Sequence, residues 1–134
     1  MHHPTVMMRT HAVRSLGGYR EAFLAAEDYD LWLRAAERFE LANLPEVLLR
    51  YRIHTHATSF QELEQQVISA LAAEASARLR REGKRDFFAE RSRVAREDLR
   101  AVGITGAHVD RSIRKAQDWY RARNIGIQEH AAAG

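Results

Sequence analysis

The sequence predicts an α/β chain in which helix dominates. Apolar residues at Leu31, Trp32, Ala35, Ala36 and Phe39 repeat at helical spacing. Val47, Leu49, Tyr51 and Ile53 alternate as on one face of a strand. From Ser59 onward, amphipathic stretches follow one another with short glycine connections.

In chain order, "TVMM" (Thr5 to Met8) is a short β-prone run. "HAVRSLGG" predicts a short helix or turn ending at Gly17 and Gly18. Paired glycines supply positive φ and leave room for a close backbone approach. "AEDYDLWLRAAE" places Glu27, Asp28 and Asp30 in the first turn of the next helix. Unpaired N–H groups and the helix dipole favour acids there. Pro45 then breaks the chain between two short extended runs, the second being Val47–Ile53.

Beyond this point three helices are expected. The first opens at Ser59 with Glu62 three residues on, a capping box, and stops at Gly83. The second covers "KRDFFAERSRVAREDLRAVG" to Gly103. The third begins near Ile104 with Val109, Ile113, Ala116 and Tyr120 on one face, and "GIQEHAAAG" is expected to fray. Trp119 and Tyr120 are read as packing residues of this tail, and Trp32 as core rather than a sugar platform.

With 134 residues, 46% hydrophobic and 29% charged, the chain has the size and composition of one globular domain. It holds no cysteine, which excludes a disulfide framework and thiolate metal sites and fits a reducing compartment. No signal-peptide core and no apolar run near the ~20 residues of a membrane helix is present. The net charge of +3 falls entirely after Ser59; residues 1–59 hold seven Arg against seven acids. That excess is small and interleaved with acids, so nucleic acid is not an expected partner, and a solvated helix surface is the favoured reading. Contact of the Arg-rich helices with an anionic membrane surface is the sharper alternative.

"HPTVMMR", "GGYRE", "AEDYDLWLR" and "LANLPEVLLRYRIH" stand in the order and spacing seen in family 2 glycosyltransferases of the GT-A fold, and the sequence resembles that family from Pro4 to Ser59. Each motif alone is weak; the ordered set is specific. The resemblance implies that residues 1–59 are the C-terminal portion of a doubly wound nucleotide-binding catalytic domain, with residues 60–134 a helical extension. It implies transfer of a sugar from a nucleotide-sugar donor to the hydroxyl of a glycan or lipid-linked acceptor, with inversion and a divalent metal (Mg or Mn), on the cytoplasmic side, soluble or peripheral to a membrane. By this resemblance Asp28 is the general base and Glu27 its acidic neighbour. Gly17 and Gly18 shape the substrate loop, Arg52 serves the diphosphate, and His54 reaches the metal or the diphosphate.

The chemistry is coherent on its own terms. An acceptor hydroxyl is a poor nucleophile and needs a base within hydrogen-bond reach. The leaving nucleoside diphosphate gathers negative charge that a cation can stabilise. The sequence also departs from the family pattern: it shows no nucleotide-binding half and no Asp-x-Asp metal motif ahead of these segments. "DYD" (Asp28 to Asp30) has that form but sits at a helix start, so it is not taken as the donor metal site. The chain therefore reads as the C-terminal part of an enzyme, with little transferase activity expected from it alone and a tendency to self-associate through an exposed sheet edge. Bland readings stand beside the sharp ones. The acids could only start a helix, Gly17-Gly18 could be only a turn, His54 could be a strand-end histidine, and His54 with His56 is two ligands short of a zinc site. The alternative function is a non-catalytic remnant serving binding or assembly.

Overall fold

A computed structural model of the chain describes residues 3–50 and 62–132, with side chains described as far as residue 122. Among these residues there are four α-helices: α1 (Thr10–Ser15), α2 (Glu27–Ala36), α3 (Leu63–Arg81) and α4 (Gly106–Ala132). Short 3-10 segments at His3–Thr5, Glu21–Phe23, Phe87–Glu90 and Arg96–Val102 join or flank them. The chain is mostly helical, as expected, and no strand forms among the described residues.

α3 is the hub. It packs against α2, α4 and the 3-10 segments Glu21–Phe23, Phe87–Glu90 and Arg96–Val102. Its buried face is built from small residues, with Ala72, Ala73, Ala77, Ser69 and Ser76 fully buried. Small side chains let neighbouring backbones approach closely, and larger residues from the neighbours fill the remaining space. Phe23, Phe88, Val94, Leu99 and Val109 are all buried in this core. Fully burying each such side chain contributes about 1.5–3 kcal/mol. Phe23 and Phe88 meet with ring centroids 6.3 Å apart. Residues on both sides of the 59/60 boundary therefore share one hydrophobic core.

Glycines end the helices as the sequence suggests. At α1, Gly18 N donates to Val13 O and Gly17 N to Arg14 O, the paired bonds of a Schellman stop. Lys84 N to Leu79 O and Gly83 N to Arg80 O repeat the motif after α3. Gly17, Gly18, Gly83 and Gly103 all hold positive φ.

Several expectations are corrected. The single helix predicted over 84–103 is two 3-10 segments with an irregular crossing between them. A continuous helix would turn ~100° per residue and place Val94 about 240° from Phe88, away from the core. Breaking the helix lets Phe88, Val94 and Leu99 all point inward, and Val94 N gains Ala22 O at 2.9 Å. Fraying is expected at "GIQEHAAAG"; α4 is helical to Ala132, and 133–134 lie outside the described residues. α3 begins at Leu63 with Glu62 at its N-cap position and no side-chain cap, and the expected Ser59 cap lies outside the described residues. Trp119 is 53% exposed rather than packed, its ring edge-on to Tyr120 at 5.0 Å.

The strand expected over Val47–Ile53 is not seen at residues 47–50, and 51–53 lie outside the described residues. The β-prone Thr5–Met8 is likewise no strand. A strand needs a partner ladder, and among the described residues neither segment has one. No backbone hydrogen bond is formed by residues 40–50 there. Their apolar side chains are left bare: Val47 is 90% exposed, Leu48 74% and Met7 97%. Together with α1 and α2 these segments wall a groove of about 720 Å³, with Leu31 and Trp32 on its floor. Ala36 and Phe39, expected on the buried face of α2, are exposed, and Phe39 edges this groove.

Candidate functional site

The three crowded acids separate by the direction they face. Glu27, Asp28 and Asp30 all lie in the first turn of α2, as the sequence predicts. Ala26, at the N-cap, offers no side-chain oxygen to the free N–H groups, so acids supply the negative charge that a helix start favours. Ala25, just before, has φ +64°, a left-handed conformation that costs an L-residue roughly 1–2 kcal/mol. Asp28 is half-buried, and its Oδ1 accepts from Tyr29 N at 2.7 Å. Glu27 is half-buried too, and its Oε2 is enclosed without a hydrogen-bond partner among the described residues.

Asp30 is different. Its side chain is 0% exposed, and it sits between two arginines. Arg34, one turn along α2, donates through Nε to Asp30 Oδ2 at 2.9 Å. Arg20 donates through Nε to the same oxygen at 2.9 Å and through Nη2 to Oδ1. A bare buried carboxylate would be costly, so two guanidinium forks satisfy it.

Arg34 also fixes the glycine loop. Its Nη1 donates to Leu16 O at 2.6 Å and its Nη2 to Gly18 O at 2.7 Å. Gly17 (φ +80°) and Gly18 (φ +70°) need glycine for their backbone conformation. The close approach expected there is not made among the described residues, where a Cβ added at either position would meet nothing within 4 Å. The loop thus stands in open space, bound to α2 through its carbonyls.

Arg20 carries the charge network onward. Its Nη1 donates to Asp86 Oδ2 at 2.9 Å and its Nη2 to Ser76 Oγ at 3.0 Å. Ser76 Oγ donates to Asp86 Oδ2 at 2.6 Å, and Arg80 Nη1 reaches the same Asp86 oxygen at 2.8 Å. Arg80 closes the chain outside with a two-pronged pair to Glu37. Burial pushes the Asp86 carboxyl up, but the Ser76 hydroxyl and the two arginines outweigh it and hold the group below its usual range. Burial likewise acts to lower Arg20, yet Asp30 and Asp86 leave its guanidinium above its ordinary value.

Of the residues the sequence singled out, Gly17 and Gly18 lie in the loop that Arg34 ties to α2, and Glu27 and Asp28 lie in the first turn of that helix. Arg52 and His54, and with it the His54–His56 pair, lie outside the described residues. Sequence reasoning missed Arg20, Arg34, Ser76 and Asp86. The Asp30–Arg34 pair had a local signal, an acid and a base four apart beside the apolar Leu31 and Ala35. Arg20–Asp86, 66 residues apart, had none.

No three His, Asp or Glu groups converge as a cation site among the described residues. The divalent ion implied by the resemblance therefore finds no ligand set there. No helix is long and apolar enough to cross a membrane among the described residues.

Over 59 residues the chain is 42% identical to the O-antigen biosynthesis glycosyltransferase WbnJ of Escherichia coli. The match takes in 42% of this chain and 23% of that protein, so the chain spans about a quarter of its relative. No family model matches, and no solved structure matches. Similarity to a glycosyltransferase over this segment supports a transferase at the coarse level.

Removing one partner from a buried charge cluster leaves the others uncompensated. Asp30→Ala should therefore cost about 3–5 kcal/mol in urea unfolding. Asp28→Ala, which removes only a helix-start charge, should cost about 0.3–1 kcal/mol. Equal losses would contradict the division between the two acids.

The cluster also sets an acid limit. Because the folded Asp86 is held below the ordinary carboxylate value of ~3.9, its stabilising contribution is complete above that value. It is lost as pH falls through the lower folded value. Urea midpoints followed from about pH 5 to pH 2.5 should fall for the wild type and fall less for Asp86→Asn.

Proposed function

We propose that this chain is the acceptor-side part of an inverting glycosyltransferase of the family 2, GT-A type. The observation that carries the reading is the placement of Asp28 and Glu27 at the start of α2, on a segment whose motifs follow that family's order. The 42% identity to a sugar transferase over 59 residues supports it. In the proposed reaction the acceptor hydroxyl oxygen attacks the anomeric carbon of a nucleotide sugar. Its proton passes to the Asp28 carboxylate. The bond from the anomeric carbon to the diphosphate oxygen breaks, and the electron pair leaves with the nucleoside diphosphate. A single displacement from the opposite face inverts the anomeric centre.

Glu27 contributes negative charge beside the base. The Gly17-Gly18 loop borders the acceptor with open space above it. Arg52 is proposed for the diphosphate, and His54 for the diphosphate or the metal ion that the family uses. The donor nucleotide is assigned to parts of such an enzyme outside the 59 matched residues. The bare apolar side chains of Met7, Val47 and Leu48 favour a second reading, a binding or assembly module that covers this face with a partner.

The test is sugar transfer by the complete protein and by this chain alone. The complete protein should transfer, the chain alone should stay near background, and Asp28→Asn should lower kcat about 10²–10⁴-fold with little change in the KM for donor. An Asp28→Asn enzyme within tenfold of wild type would sink the base assignment.

A further inference from the structure

Among the described residues, a Cβ added at Gly17 or Gly18 would meet nothing within 4 Å. What holds it is a small set of hydrogen bonds, two of them from Arg34 to Leu16 O and Gly18 O. Arg34 in turn depends on Asp30, which it shares with Arg20. Arg20 is only two residues past Gly18, so its anchor on Asp30 also ties down the downstream end of the loop. Its guanidinium lies over the Phe23 ring at 4.4 Å, and its outer edge is fixed by Ser76 of α3 and by Asp86 beyond it.

Charge makes the dependence strong. One buried carboxylate, Asp30, faces two guanidinium groups, Arg20 and Arg34. Asp86 supplies the second negative charge that lets Arg20 share Asp30 rather than compete for it. Without Asp86, Arg20 either turns wholly onto Asp30, loosening Arg34, or swings toward water. The first weakens the grip on Leu16 O and Gly18 O, and the second frees the chain just after Gly18 from its anchor on Asp30.

We infer that Ser76 and Asp86, in the helical extension, are positioning residues for the Gly17-Gly18 loop, acting through Arg20, Asp30 and Arg34. The extension is then a built-in support of the acceptor side rather than an appended module. Calling that loop part of an acceptor site rests on the function proposed above; the coupling itself does not.

Hydrogen exchange on the whole chain separates the two. In Asp86→Asn, amides of residues 16–20 should exchange about 5–10-fold faster than in the wild type, as expected when charge-assisted hydrogen bonds are lost locally. Amides in the middle of α3, residues 68–77, should change less than about twofold. Glu37→Gln, which removes only the outer partner of Arg80, should leave the loop within about twofold of wild type. Should Asp86→Asn fail to fold, Ser76→Ala carries the same test, with an expected acceleration of roughly 2–4-fold at the loop. An unchanged loop, or parallel acceleration in every segment, would overturn the inference. A responsive loop in a protein whose Asp28→Asn variant keeps full transfer would uphold the coupling and defeat the Asp28 base assignment instead.

Discussion

Everything near the candidate site depends on one carboxylate being buried between two arginines. Asp30 is fully enclosed, and a charge in that position persists only if its partners are fixed as firmly as it is. Arg34 comes from the same helix, Arg20 from the chain just after the glycine loop, and the groups behind Arg20 from α3 and the turn that follows it. A buried ion pair of this kind is weak evidence for net stability, because desolvation offsets attraction. Its contribution is geometric: few arrangements of these segments satisfy every charge. The loop, the acidic helix start and the helical extension are therefore held in one arrangement.

The same design explains why the extension is not a separate layer. α3 presents alanines and serines to α2 and to the 3-10 segments, so the backbones come close enough for Ser76 to reach Arg20. Phe23 and Phe88 fill the space beside that contact. Apolar packing brings the elements together without choosing a register, and the charge cluster chooses it. On the opposite side of α2, Leu31 and Trp32 face the open groove.

Local chemistry was legible in the sequence. The acids at the start of α2, the glycine stop after α1 and the stops at Gly83 and Gly103 follow from capping rules that act within a few residues. What was not legible acts at a distance. Val94 turns inward because Ala22 and the α3 face are there to receive it, and that demand breaks a helix the local pattern would continue. Asp30 looked like its neighbours because an inward-facing acid is identified only by its partners, and Asp86 lies 56 residues away from it. The alternation at Val47–Leu49 describes residues suited to a sheet, yet the described chain offers no strand to pair with.

The central claim is that the acidic helix and the helical extension form one cooperative unit through the Asp30 cluster. Urea unfolding of a Trp119→Phe chain tests it most directly, with Trp32 fluorescence reporting α2 and far-ultraviolet circular dichroism reporting mainly α3 and α4. The account predicts coincident transitions with one midpoint. A Trp32 transition complete while most of the helical signal persists would contradict it.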